Sequence, residues 1–214
     1  MKFKHEFVNY LKLNTETVDG KRHYVLPTGE KLKSVTTVLD EKLDKTALLE
    51  WKKRVGPEEA QRVSTQARNR GTAIHILAER YVLNEENYTR GAMPVNIALF
   101  ETLIPHINKG LDTVLGVEIP LYSKALKVAG RADLVGVYKG RPAVLDFKTS
   151  KKTKKVEWIE NYILQCTCYS MMFERMYKIQ VPQIVIMIAV DNEPPQVFEL
   201  ERVNYVGRVL EIFG

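Results

Sequence analysis

The pattern of apolar and polar positions changes character near residue 112. Before that point, apolar residues recur at helical spacing. Ile74, Leu77, Ala78 and Tyr81 fall at steps of three, one and three, which is one face of a 3.6-residue helix. The pattern predicts a helix from Pro57 to about Leu83. Gly56 breaks the preceding segment, Pro57 suits a first turn, and Glu58 and Glu59 lie near the positive end. Thr46 to Val55, with apolar Leu48, Leu49 and Trp51, predicts a second helix, and Ile97 to Leu111 a third, interrupted or kinked at Pro105. Asn84 to Pro94 reads as a polar loop. Ser34 or Thr36 is placed to cap a short helix running toward Leu39. The first 30 residues read as a hairpin-like cover, with turn signals at Asp19-Gly20 and Pro27-Thr28-Gly29 around a strand at Tyr24 to Leu26.

After residue 112 the period shortens. Val114 to Tyr122, Val128 to Tyr138 and Ala143 to Phe147 predict three consecutive strands, an antiparallel meander. Glu157 to Tyr177 predicts a helix. The run Ile184 to Val190, rich in β-branched residues and bounded by prolines, predicts a strand buried on both faces, as in a parallel arrangement. Val197 to Arg202 is a weaker strand, and Tyr205 to Phe213 a terminal turn or helix. The fold class is therefore α/β, a central mixed sheet flanked by helices. The 214 residues suit one domain, divided into a cover with leading helices (1–111), a sheet core (112–203) and a tail (204–214).

Composition narrows the function classes. The chain is 45% hydrophobic and 27% charged, enough to bury a core and stay dissolved. Two cysteines, Cys166 and Cys168, exclude a disulfide scaffold and any four-cysteine zinc or iron–sulfur site built by this chain alone. No apolar run reaches the roughly 18 residues of a membrane span. The charged start lacks an apolar signal core, so a cytoplasmic protein with no membrane partner is expected. The net charge is +6, yet residues 124–155 hold ten bases and only two acids. A positive excess this local predicts a phosphate-facing strip. The sequence has no phosphate-loop pattern and no nucleophile elbow.

The two acids in that strip are Asp133 and Asp146. With Lys139-Gly140 as a two-residue hairpin loop, Tyr138 pairs with Arg141 and Asp133 falls opposite Asp146. Like charges at opposed positions repel, and a bound divalent cation would resolve the conflict. Asp146 and Lys148 share a face, while Phe147 points into the core. Two carboxylates with a lysine suit Mg²⁺ or Mn²⁺, one or two ions, and phosphodiester hydrolysis. Lys151, Lys152, Lys154 and Lys155 follow, placed for flanking phosphates. Gln165 and Tyr169 lie four apart on the next helix, a spacing that fits either nucleic-acid contact or core packing. His75, one turn after Gly71, is by spacing alone an ordinary helical histidine.

Taken together and in order, these motifs resemble the PD-(D/E)xK nuclease superfamily in its RecB-like exonuclease branch. Gly130-Arg-Ala-Asp133 matches the first acid motif, with Ala132 in place of the usual proline. Asp146-Phe-Lys148 matches the D/E-x-K motif, Gln165-x-x-x-Tyr169 the Q-x-x-x-Y motif, and Arg70-Gly-Thr-Ala-Ile-His75 the upstream histidine. Ser34-Val-Thr-Thr-Val-Leu and Trp51-Lys-Lys extend the likeness to the mitochondrial genome maintenance exonuclease-like proteins and their small phage and bacterial relatives. The resemblance implies a restriction-endonuclease-like core and a metal-dependent exonuclease that prefers single-stranded DNA with free ends. It implies metal held by His75, Asp133, Asp146 and the carbonyl of Phe147, with Lys148 catalytic. Gln165, Tyr169, Lys151, Lys152, Ser34 and Thr36 become expected DNA contacts. A monomer without an iron–sulfur cluster is expected, with any helicase or other replication or recombination protein a separate partner. The alternatives are a non-cleaving nucleic-acid binder and a structure-specific or RNA-directed nuclease of the same superfamily.

Overall fold

The computed structural model describes residues 2–214. In chain order the elements are β1 (Lys4–His5), β2 (Asn14–Val18), β3 (Lys21–Val25), β4 (Lys31–Ser34), α1 (Val35–Lys42), α2 (Thr46–Val55), α3 (Pro57–Val82), α4 (Pro94–Glu101) and α5 (Ile104–Gly110). There follow β5 (Leu111–Ser123), β6 (Val128–Tyr138), β7 (Arg141–Ser150), a 3₁₀ turn (Val156–Ile159), α6 (Glu160–Tyr177), β8 (Gln183–Val190), β9 (Gln196–Glu201), a second 3₁₀ turn (Arg202–Asn204) and α7 (Val206–Phe213).

All nine strands join one mixed sheet. Its first part is a hairpin, β2 against β3, closed by Asp19 and Gly20, both at positive φ. Strand β3 pairs antiparallel with β4, and β4 parallel with β6. The meander is as the pattern predicts, β5 with β6 and β6 with β7. Lys139 and Gly140 stand at φ 50° and 76°, the two left-handed positions of a tight hairpin turn. The resulting register joins Tyr138 to Arg141 and runs back to Leu134 and Leu145. Strand β8 lies parallel to β7, and all eight of its residues are buried. Ile184, Ile186, Ile188 and Val190 face one core, with α1, α6 and α7. Val185, Met187 and Ala189 face the other, with α3, α4 and α5. A two-residue period thus divides one strand between two hydrophobic layers.

The expected helix over Ile97–Leu111 is in fact two. Each begins with a proline in its first turn, Pro94 in α4 and Pro105 in α5, where the absent N–H leaves no bond unmade. The segment is interrupted rather than kinked, Pro105 lying in the first turn of the second helix, and Leu111 already belongs to β5. At the other cap, Ser34 Oγ accepts the Thr37 N–H at 3.0 Å, so Ser34 and not Thr36 caps α1.

The pairing of β6 positions everything that follows. One edge of β6 is taken by β5 along its whole length, Val128 to Tyr138. The other edge is divided: Val128 and Ala129 pair with β4, and Leu134 to Tyr138 pair with β7. Between them, residues 130–133 face a fork where β4 and β7 part. The buried Tyr169 of α6 packs into this fork. A Cβ added at Gly130 would lie 2.4 Å from Tyr169 Cε1 and 2.8 Å from its Oη. Gly130→Ala should therefore displace the ring and destabilise the fold by about 1–3 kcal/mol. Thermal unfolding should record a melting temperature several degrees lower, with the circular dichroism of the folded state unchanged. An unshifted transition would mean that the ring is not held there.

Candidate active site

Asp133 stands at the fork. The β6–β7 ladder ends at Leu134 and Leu145, so Asp133 and Asp146 occupy the first position beyond it, in the expected register but where the strands separate. The Asp133 side chain takes over from the ladder: its Oδ2 accepts the Phe147 N–H at 3.0 Å. Its Oδ1 lies 3.2 Å from His75 Nδ1. His75 reaches this point because its neighbours Ile74, Leu77 and Ala78 bury the inner face of α3 against the sheet. On the far side of β6, Glu118 sits between the pairs Val117–Leu134 and Ile119–Ala132, directly across from Asp133. Glu118 has φ 48° within a strand, a left-handed backbone that a non-glycine residue adopts at a cost of about 1–3 kcal/mol. One ligand atom each from His75, Glu118 and Asp133 lies within 4.8 Å of the others. Arg131 Nε holds the Glu118 carboxylate at 2.6 Å.

Asp146 and Lys148 complete the group from β7. The Asp146 side chain is 2% exposed, and Lys148 Nζ forms an ion pair with it. Neither Asp146 oxygen accepts a well-formed hydrogen bond. A buried carboxylate without donors is costly, and burial pushes Asp146 up to about 6, with Asp133 adding to the rise and Lys148 opposing it. Burial pushes Asp133 the same way, but the His75 hydrogen bond, the charges of His75 and Lys148 and the Phe147 N–H outweigh it and hold Asp133 below its usual range. Burial disfavours the charged imidazole of His75, yet its bond to Asp133 and that carboxylate's charge leave it raised. Lys148 is also desolvated, but Asp146 and Asp133 more than compensate, so it stays protonated. Its ammonium lies 5.1 Å from the ring centroid of Tyr162 on α6, a cation–π contact that fixes its position.

The donor set fits a hard divalent cation. Carboxylate oxygens from Asp133, Asp146 and Glu118 with one imidazole are the ligands that Mg²⁺ or Mn²⁺ accepts. Asp146, buried with Lys148 as its ion-pair partner and no well-formed hydrogen bond, is a carboxylate that such an ion would satisfy further.

The other expected contacts separate into two kinds. Tyr169 is only 3% exposed and belongs to the core at the fork, so its ring offers no face for stacking. Burial also drives its hydroxyl well above the usual range. Gln165 Nε2 lies 3.5 Å from Tyr169 Oη, a long contact that leaves the amide free. Ser34 is 2% exposed and occupied as the α1 cap, with its Oγ also 3.0 Å from Thr36 Oγ1. Its part is structural, while Thr36 lines a groove beside α2. Lys151 and Lys152 are exposed in the loop after β7. Cys166 and Cys168 are both free and buried.

The basic strip is also redrawn. Lys124 pairs with Glu30, Arg131 with Glu118, Lys139 with Glu199 and Arg141 with Glu201. Arg141 begins β7, seven positions and so roughly 23 Å of strand from Lys148. Consecutive numbering placed these charges together; the extended strand separates them. The compact basic group near the fork is Lys151 to Lys155.

Glu118 is the site residue that the sequence pattern did not single out. Its signal is visible afterwards, one acid within the otherwise apolar stretch Val114 to Leu121. Arg70 is a second: its Nη1 binds Asp191 Oδ2 at 2.5 Å and ties α3 to the end of β8, one turn before His75.

The chain is 28% identical over 174 residues to mitochondrial genome maintenance exonuclease 1 of Mus musculus, which covers 76% of this chain and 51% of that protein. It therefore spans about half the length of this curated relative. A crystal structure of a candidate exonuclease from Eubacterium rectale aligns with a TM-score of 0.47 at 13% identity, over 67% of this chain and 63% of that one. A sequence profile of the PD-(D/E)XK nuclease superfamily matches residues 21–204, the whole sheet apart from β1 and β2 included. By that match, which takes in the fork and every residue around it, the protein belongs to the PD-(D/E)XK nuclease superfamily.

Proposed function

We propose that this nuclease is a Mg²⁺- or Mn²⁺-dependent exonuclease that hydrolyses phosphodiester bonds of DNA from free single-stranded ends. The observation that supports metal dependence is the convergence of one ligand atom each from His75, Glu118 and Asp133 within 4.8 Å, with Asp146 buried nearby on β7 and Lys148 as its ion-pair partner. His75, Glu118, Asp133, Asp146 and the carbonyl of Phe147 would hold the ion. When bound, it polarises a phosphodiester oxygen and lowers the pKa of a water. The chain's own contribution is electrostatic and positional. Lys148, protonated and fixed between Asp146 and Tyr162, stabilises negative charge developing on the phosphate and orients the attacking water. It is a cation and not a general base, because both neighbouring carboxylates favour its charged form. Lys151 and Lys152, exposed just beyond β7, take flanking phosphates. The mouse relative is named an exonuclease, which supports action from an end. The preference for a single strand rests on the motif resemblance.

The decisive assay uses end-labelled single-stranded DNA, linear and circular, with Mg²⁺ or chelator. Cleavage of the linear form alone, only with metal, is expected; cutting of the circle would reject the exonuclease reading. Lys148→Ala should lower turnover by at least about 100-fold, the scale of losing one oriented donor, while DNA affinity measured in Ca²⁺ changes little. Equal loss of both would make Lys148 a binding residue.

Metal binding should also register without DNA. Ions that bind only the folded state raise the melting temperature. Mn²⁺ should do so for the wild type and not for Asp133→Asn. Asp146 must lose its proton to bind, and burial has pushed it up to about 6. The Mn²⁺-induced rise should therefore be full at pH 7.5 and diminish below pH 6, where protons compete. A rise independent of pH would remove Asp146 from the ligand set.

A further inference from the structure

We infer that the groove between α1, α2 and the start of α6 is a nucleobase subsite, with the indole of Trp158 as its stacking surface. The inference rests on the single-strand reading above and adds to it a specific contact beyond the reacting phosphate.

The groove has a volume of about 590 Å³ and is lined by Leu39 and Leu48 on one side and by Trp158, Asn161 and Gln165 on the other. Trp158 is 61% exposed, so the largest apolar side chain of this region is left facing solvent. Lys155 Nζ lies 5.5 Å from its ring centroid. A ring exposed on one side and backed by a cation is arranged to take a base while the lysine takes the phosphate.

The rim says which part of a nucleotide enters. Asp40, Asp44, Glu157 and Glu160 surround the groove, with Lys45 the single base among its lining residues. A phosphate is repelled there. An aromatic base is not: it finds an apolar wall, a stacking face and two amides able to donate and accept at its edge. The excluded backbone is left to the loop lysines, Lys151 to Lys155.

The helix supplies the connection to chemistry. Asn161 and Gln165 are four apart on α6 and share a face, while Trp158 lies in the 3₁₀ turn that leads directly into the helix. Tyr162 touches Lys148 and Trp158 faces the groove. The groove thus opens on the same stretch of chain, four residues before the tyrosine that contacts Lys148. The base held there belongs to a nucleotide close to the scissile bond.

The test is an abasic walk. Labelled single-stranded oligonucleotides carry one abasic site, moved stepwise from the end, and binding is measured in Ca²⁺. The wild type should lose affinity about 5- to 150-fold at one position, the range for losing one stacked base. Trp158→Ala should bind the intact strand more weakly by a similar factor and show no such position, whereas Trp158→Phe should retain it. The melting temperatures should match, since the indole is exposed. A flat profile in a wild-type protein that binds and cuts the strand overturns the base subsite and leaves the nuclease reading standing. The same holds if the position survives in Trp158→Ala, or if that variant binds normally, which would assign the groove to a protein partner. A wild type that neither binds nor cuts any single strand overturns both.

Discussion

The architecture depends on one strand with more neighbours than it has edges. Strand β6 gives one whole edge to β5 and must divide the other between β4 and β7. Where the two part, backbone groups lose their ladder partners, and unpaired groups in a protein interior are costly. The protein fills the fork with side chains. Asp133 accepts the Phe147 N–H that the ladder no longer serves, and Tyr169 covers the backbone at Gly130. The same substitution that repairs the sheet fixes a carboxylate at its centre. Asp133 is held in place because turning away would leave the Phe147 N–H unpaired.

Around that fixed carboxylate the fold accumulates features that would not otherwise survive. Glu118 is held at a left-handed φ inside a strand, Asp146 is buried with only Lys148 to balance it, and Lys148 is charged although desolvated. Each costs stability alone. They persist because the sheet beneath them is rigid: β8, buried at every residue, ties β7 to two hydrophobic cores. The apolar strand that carries no chemistry is what makes the charged one possible.

Much of this was readable in the sequence because it depends on short-range rules. The hairpin Lys139-Gly140 fixes a register, and that register places Asp133 beside Asp146 at any reasonable twist. Period-two alternation assigns Asp146 and Lys148 to one face. What escaped depends on tertiary placement. Glu118 reaches the site through a backbone distortion that no periodicity signals. Tyr169 and Gln165 share a helix face, yet one is core and the other opens on a groove, because the fork closes over only the first. The basic strip was an artefact of counting along the chain, since a strand carries consecutive charges apart by about 3.3 Å per residue and β9 supplies glutamates to half of its turn end.

The charges that remain define the electrostatics of the site. Glu118 is neutralised in part by Arg131, and Asp146 by Lys148. Asp133 sits between the two pairs and draws on His75, whose imidazole is raised as a result. His75 and Asp133 each favour the charged form of the other. A divalent cation balances the carboxylates better, since it can bind several oxygens at once and releases the imidazole to act as a neutral ligand. With an ion on Asp146, the Lys148 ammonium would be available to a phosphate. Lys148 is thus placed to serve as the counter-ion of Asp146 and, under the proposed function, would serve the substrate phosphate as well.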